Sequence, residues 1–191
     1  MNLKLTILIL SAVVWIAAEA YLILKDSKQG KGKTKIDRRT RNYNIISIEI
    51  ALIFAPIISW LPIFSFCNIE TSILLLIGII VQCLGFFLRH WSIIVLGKYF
   101  RTTIEIEKGQ KVVQKGPYKY IRHPSYSGII LFFIGYGFIT QNWLSLIIAV
   151  LLPTISLLYR IRIEEIALVK EIGNEYKIYK MKTKKLIPGI W

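Results

Sequence analysis

Five apolar stretches divide the chain, at residues 5–24, 45–66, 72–96, 124–140 and 143–159, with polar segments between them. Each of the first three holds 20 residues or more, enough to cross roughly 30 Å of hydrocarbon at about 1.5 Å per residue. The fourth, with 17 residues, has the minimum length for a span. The pattern therefore predicts an all-α integral membrane protein with five transmembrane helices and a cytoplasmic C-terminal segment. Two regions follow from it: three N-terminal helices in 1–96, and a second region in 97–191 built on the helical hairpin 124–159.

The polar punctuation refines the boundaries. The basic cluster follows the first stretch instead of preceding it, and the stretch is too long for the core of a simple signal peptide. Residues 25–44, KDSKQGKGKTKIDRRTRNYN, show no apolar period and read as a flexible basic loop near lipid headgroups. Pro56 and Pro62 predict a kink or early unwinding in the second stretch. The short connection CNIET makes the second and third stretches an antiparallel hairpin. Residues 97–122 are polar, with a β-prone piece at 102–106 and turn formers Gly109, Gly116 and Pro117. Pro124 suits a first helical position, where its missing N–H costs nothing. The fifth helix is expected to run past the membrane to Ile172, with Gly173-Asn174 as its stop and a short helix over 175–182.

Composition agrees: 54% of the 191 residues are hydrophobic and the mean hydropathy is +0.54, well above a soluble domain. The net charge of +14 would suggest nucleic acid if it were spread out, but it is not. Eight of the 25 Lys and Arg residues fall in 25–41, seven in 98–122 and eight in 160–185, while the loops at 67–71 and 140–142 have none. The positive-inside rule then places the basic segments in the cytoplasm, with the N-terminus outside and the C-terminus inside. Charge here reports topology and anionic lipid, and no nucleic-acid partner. Cys67 and Cys83 lack CxxC spacing and read as free thiols.

Ionisable groups inside apolar stretches are the first candidates for function. Glu19 is expected near the cytoplasmic interface beside Lys25, and Arg89 is expected to snorkel to the headgroups. His90 has no partner at metal spacing, and no metal site is predicted. The stretch 108–128, KGQKVVQKGPYKYIRHPSYSG, is the polar, aromatic-rich island of the chain. Its His123, Pro124, Ser125 and Tyr126 form the first turn of a helix at the membrane edge, a place for an anionic group such as the carboxylate of an amino-acid-like cofactor. On the next helix Arg160 and Glu164 are four apart and share a face. A carboxylate there can take an ammonium group, and a guanidinium can hold a substrate anion by paired hydrogen bonds.

Gly116-Pro117-Tyr118, Arg122-His123-Pro124, Tyr126, Gly128, Glu164-Glu165, Leu168, Gly173, Tyr176, Tyr179, Thr183, Leu186 and Pro188, in this order and spacing, resemble the isoprenylcysteine carboxyl methyltransferases and, more widely, the phospholipid methyltransferases. The resemblance covers 97–191. It implies an integral membrane enzyme that transfers a methyl group from S-adenosylmethionine to a lipophilic or prenylated acceptor drawn from the membrane. It also implies that Gln110, Lys111, Val112, Val113 and Tyr118 lie against the adenosine and that His123, Pro124, Ser125 and Tyr126 lie against the methionine part. Glu164 would contact the cofactor too, and Arg160 would face and orient the acceptor carboxylate. Ile172 stands where the family often has an aromatic, and Lys185 where it often has arginine. The five spans resemble the small prokaryotic members, which implies a prokaryotic cytoplasmic membrane. Two other readings stay open: N-methylation of phosphatidylethanolamine, and a non-catalytic scaffold whose basic loops bind lipid.

Overall fold

The computed structural model describes residues 3–29, 35–66, 71–106 and 109–189. Six α-helices carry the described chain: α1 (Leu3–Gln29), α2 (Lys35–Ile58), α3 (Thr71–Leu96), α4 (Pro124–Thr140), α5 (Trp143–Ile172) and α6 (Asn174–Lys182). Four of them, α1, α2, α3 and α5, are long and apolar enough to cross a membrane, and α4 is a shorter apolar helix of 17 residues. Helical backbone is the expected solution, since every N–H and C=O in hydrocarbon must be satisfied within its own segment. Large apolar side chains on the outer faces, among them Val13, Ile53, Ile80 and Ile155, are exposed, as lipid-facing positions are.

Helix α4 sits at the centre. It packs along α3 on one side and α5 on the other, α2 packs on α5, and α1 leans on α4 while touching α2 only lightly. Trp15 of α1, Ala51 and Ala55 of α2, Phe132, Phe133 and Tyr136 of α4, and Leu157 of α5 form one buried cluster. The Tyr136 hydroxyl donates to the Leu52 carbonyl at 2.9 Å, giving the buried ring a polar anchor.

The α3–α4 contact is set by glycines spaced seven apart, Gly78 and Gly85 facing Gly128 and Gly135. A Cβ added at Gly85 would collide with the Phe132 amide nitrogen and lie 2.7 Å from the Gly128 carbonyl oxygen. One added at Gly128 would lie 2.6 Å from the Arg89 nitrogen. Such a small-residue stripe lets two backbones approach where no water-driven force holds helices together. It also brings Arg89 beside the start of α4.

Two boundaries differ from the sequence expectation. The flexible loop expected over 25–44 is largely helical: α1 runs on to Gln29 and α2 begins at Lys35, while 30–34 lie outside the described residues. A helix needs no apolar period to continue into water, and this end of α2 is held on α5: Thr40 is buried, and Ser156 Oγ donates to Asn44 Oδ1 at 3.4 Å. The β-prone piece at 102–106 forms no strand, because no neighbouring strand offers it a ladder; the described residues contain only two isolated bridges. Pro56 lies inside α2, and the chain unwinds from Ser59 before a short 3₁₀ turn at Pro62–Phe64, as the prolines predicted. The CNIET connection falls mostly outside the described residues.

Asn142 caps α5, its Oδ1 accepting from the Ser145 amide at 3.0 Å, while its Nδ2 donates to the Leu61 carbonyl at 3.0 Å. Gly173, with φ of 73°, ends α5 as its sequence signal predicted.

Candidate active site

The polar island 109–128 folds back under the C-terminal segment. Gly116–Lys119 make a 3₁₀ turn with Pro117 and Tyr118 buried. The backbone then pairs with the chain's last part. Arg122 N–H donates to the Lys184 carbonyl at 2.8 Å, His123 N–H to Lys185 at 3.1 Å, and Lys184 N–H returns a bond to Tyr120 at 3.2 Å. Ser127 Oγ donates to the Leu186 carbonyl at 2.6 Å, and the Tyr179 hydroxyl to the Tyr118 carbonyl at 2.7 Å. Residues 179–186 are thus a strap across the entry to α4.

Arg122 fastens that strap. Its Nε donates to Glu165 Oε1 at 2.8 Å, and its Nη1 to the Lys180 carbonyl at 3.0 Å and to the Thr183 carbonyl. Glu165 also takes Lys180 Nζ at 2.7 Å and sits 3.4 Å from His123 Nε2. Arg122, His123 and Glu165 are all buried. The second glutamate of the pair therefore holds the structure together, leaving the first to face a cavity.

That cavity encloses about 870 Å³, counting space open to solvent. Nine residues expected to hold a cofactor line it: Gln110, Lys111, Val112 and Val113 on one side, and Tyr118, His123, Ser125, Tyr126 and Glu164 across from them. Pro124 does not line it; it fills the first position of α4. Helix start and anion cradle also differ. Tyr126 and Ser127 N–H groups both bond the His123 carbonyl, at 3.0 and 3.1 Å, and proline has no N–H, so the first turn offers fewer open amides than four residues imply.

Leu168, Ile172, Tyr176 and Tyr179 line the cavity too, as do Leu96, Arg122 and most of residues 99–106. Leu168, Tyr176 and Tyr179 belong to the C-terminal motif, whereas Ile172 stands at a position where the sequence departs from it. Burial, and then the nearby Glu164 carboxylate, pushes the Tyr118 hydroxyl far above its ordinary pKa; burial, then Glu165, does the same for Tyr176, and burial raises Tyr179 to about 12. All three stay neutral donors at neutral pH. Val112 N–H donates to Glu175 Oε1 at 3.1 Å, tying the loop to α6.

Tyr126, with Phe100 and Arg101, stands between this cavity and a second one of about 480 Å³, counting space open to solvent, which Arg160 lines from α5. Its hydroxyl donates to Glu164 Oε2 at 2.7 Å and accepts from Arg160 Nε at 3.0 Å. Arg160 Nη2 also donates to the Thr102 carbonyl at 2.7 Å, and Nη1 lies 3.5 Å from Thr40 Oγ1. The i, i+4 pair is joined through the tyrosine, with Glu164 on one side and Arg160 on the other.

Arg89 does not snorkel: it is buried, and Glu19 is its partner. Arg89 Nε and Nη2 donate to the two oxygens of Glu19 at 2.6 and 2.7 Å, Nη1 donates to Ser125 Oγ at 3.0 Å, and the guanidinium carbon lies 5.5 Å from the centre of the Trp15 ring. A bidentate partner on α1 makes burial cheaper than reaching for headgroups. His90 Nδ1 contacts the Phe86 carbonyl of its own helix at 2.9 Å and its ring packs on Phe86, a structural role. Among the described residues no group of His, Cys, Asp and Glu could hold a metal ion. Cys83 is an exposed free thiol; Cys67 lies outside the described residues.

Residues 76–170 match the isoprenylcysteine carboxyl methyltransferase (ICMT) family. The chain belongs to that family. It is 32% identical over 132 residues to the protein-S-isoprenylcysteine O-methyltransferase of Saccharomyces cerevisiae, covering 68% of this chain and 55% of that one. It is 30% identical over 144 residues to the Dictyostelium discoideum enzyme of the same name, covering 74% and 61%. The uncharacterized protein YpbQ of Bacillus subtilis is 34% identical over 80 residues, covering 42% and 48%. The chain thus spans about half to three-fifths of the length of the curated relatives it matches.

Proposed function

We propose that this ICMT-family chain is a multi-pass membrane methyltransferase that uses S-adenosylmethionine to methylate the carboxylate of a lipophilic, isoprenylcysteine-like acceptor. The observation that carries the reading is the Tyr126 partition, with Glu164 turned to one cavity and Arg160 to the other. The donor set of the first cavity suits the cofactor: a carboxylate for its ammonium group, neutral tyrosines and aliphatic side chains for its purine and ribose. That group, when bound, supplies an electrophilic methyl on a sulfonium with a good leaving group. Glu164, His123, Ser125 and Tyr126 would hold the methionine part and Gln110 to Val113 with Tyr118 the adenosine.

The chain's own task is then alignment and exclusion of water. Arg160, fixed by Tyr126 and the Thr102 carbonyl, would orient the acceptor carboxylate. A carboxylate is ionised at neutral pH and needs no general base, whereas an ammonium acceptor must first lose a proton. A guanidinium at the acceptor side favours the former. By the positive-inside rule, the basic segments support a cytoplasmic side for the strap and the second cavity.

The test is incubation of detergent-purified protein with labelled S-adenosylmethionine and a total lipid extract, followed by base. Methyl esters release methanol; base-stable label in phosphatidylethanolamine would overturn carboxyl methylation. Calorimetry with S-adenosylhomocysteine, with Glu164→Gln as control, tests the cofactor site itself, and absence of saturable binding would leave a lipid-binding scaffold.

A further inference from the structure

The second cavity has an imbalance of charge. Among its lining residues one carboxylate, Glu19, faces four guanidiniums, Arg41, Arg89, Arg101 and Arg160. Glu19 spends both oxygens on Arg89. Asp26 Oδ1 lies 3.6 Å from Arg101 and its Oδ2 accepts from the Thr102 amide at 3.0 Å. Arg41 is half-buried, and its Nε, out of contact with solvent, has no hydrogen-bond partner among the described residues. A buried charged donor without an acceptor is costly, and the cost is removed by an anion in the cavity.

Position supports this. Arg41, Asn44 and Ile45 line the cavity together from α2, as residues three and four apart on one helical face do. Thr40, one residue before, lies 3.5 Å from Arg160 Nη1, so the turn of α2 that carries Arg41 meets the turn of α5 that carries Arg160. Ile23 of α1 and Ile45 give the cavity an apolar rim where α1 and α2 touch only lightly, and Tyr21, Leu24 and Ile46 nearby are exposed on the lipid-facing side. Charged groups and the two isoleucines thus share the lining of one cavity.

We propose that Arg41 is a positioning residue that grips the oxyanion of a single-tailed, anionic amphiphile in this chamber before transfer, with the tail leaving between α1 and α2. The acceptor's identity rests on the methyltransferase reading; the anion preference of the chamber does not. Both guanidiniums face the one carboxylate: Arg160, wired to the Tyr126 partition, orients it for transfer, and Arg41 adds to its binding.

The experiment titrates purified protein, without cofactor, with N-acetyl-S-farnesyl-L-cysteine and with its uncharged carboxamide, following intrinsic tryptophan fluorescence. The wild type should bind the carboxylate at least about tenfold tighter than the amide. Arg41→Gln should remove most of that preference while leaving amide affinity unchanged, and Arg41→Lys should restore part of it. In turnover Arg41→Gln should raise KM about tenfold at constant kcat, the mark of lost ground-state binding. Equal binding of both probes by the wild type, no binding of either, or an Arg41→Gln variant that weakens both alike overturns the proposal. S-adenosylhomocysteine binding in the same samples separates the two readings, since its absence removes the methyltransferase and leaves the carboxylate preference to be judged.

Discussion

The two sides of Tyr126 are built in different ways. The cofactor-side cavity is made from three stretches of the C-terminal half, 96–106, 110–126 and 164–179, of which the second is pinned by backbone hydrogen bonds to the strap. The other cavity gathers side chains from each of α1 to α5 and from residues 100–102, and is held by ion pairs across the bundle. A backbone-held site tolerates changes in individual side chains; a side-chain-held site fails when one partner is removed. This contrast orders the expected effects of mutation.

The largest effect belongs to Glu19→Ala. It leaves Arg89 charged and buried without its bidentate partner, and removing one member of such a pair costs about 3–5 kcal/mol. Thermal unfolding in detergent should drop steeply, and the Glu19→Leu, Arg89→Leu double variant should recover most of the loss. A double variant as unstable as the single one would mean that the pair specifies more than charge balance.

Next is the frame both cavities share. Gly85→Ala puts a methyl group against backbone atoms of α4 that cannot rotate away, which costs about 3 kcal/mol, the upper end for overpacking. Ile80→Ala, on the lipid-exposed face of the same helix, should change little. Equal effects on monodisperse yield would show that α3 and α4 are not held by this close approach.

The same contrast explains what the sequence made legible. Helix α4 from Pro124 and the end of α5 at Gly173 were readable because a proline without an N–H and a glycine at positive φ carry local physics. The cofactor-side residues were readable because they sit in one spaced motif. Glu19 and Arg89, 70 positions apart, were read singly and assigned to the interface: each alone would go there, and only the helix packing set by Gly85 and Gly128 shows that they meet. Residues 35–44 look like loop by composition and are helix because α5 holds Thr40 and Asn44. Arg41 carried no sequence signal beyond membership of a basic cluster.

On the cofactor side, Arg122→Gln tests the strap. It gives up the charged bond to Glu165 and weakens those to the Lys180 and Thr183 carbonyls, worth about 2 kcal/mol for hydrogen bonds to charged groups. Residues 179–186 should become more open to proteolysis, and S-adenosylhomocysteine affinity should fall about tenfold, while the carboxylate preference of the other cavity is retained. Loss of both would show that the strap supports the whole bundle.

The smallest change is Tyr126→Phe, and it bears on the partition itself. The ring stays, so the wall between the cavities remains; only the hydroxyl that donates to Glu164 and accepts from Arg160 is lost. One such atom is worth about 1 kcal/mol in stability, too little to unfold the protein. Its functional effect should nonetheless appear on both sides, because Glu164 and Arg160 lose the same anchor. S-adenosylhomocysteine should bind about fivefold more weakly, and kcat with the farnesylcysteine acceptor should fall by a similar factor, each corresponding to about 1 kcal/mol. If cofactor affinity falls and kcat does not, Arg160 is held well enough by the Thr102 carbonyl, and the tyrosine serves only as a wall on the acceptor side.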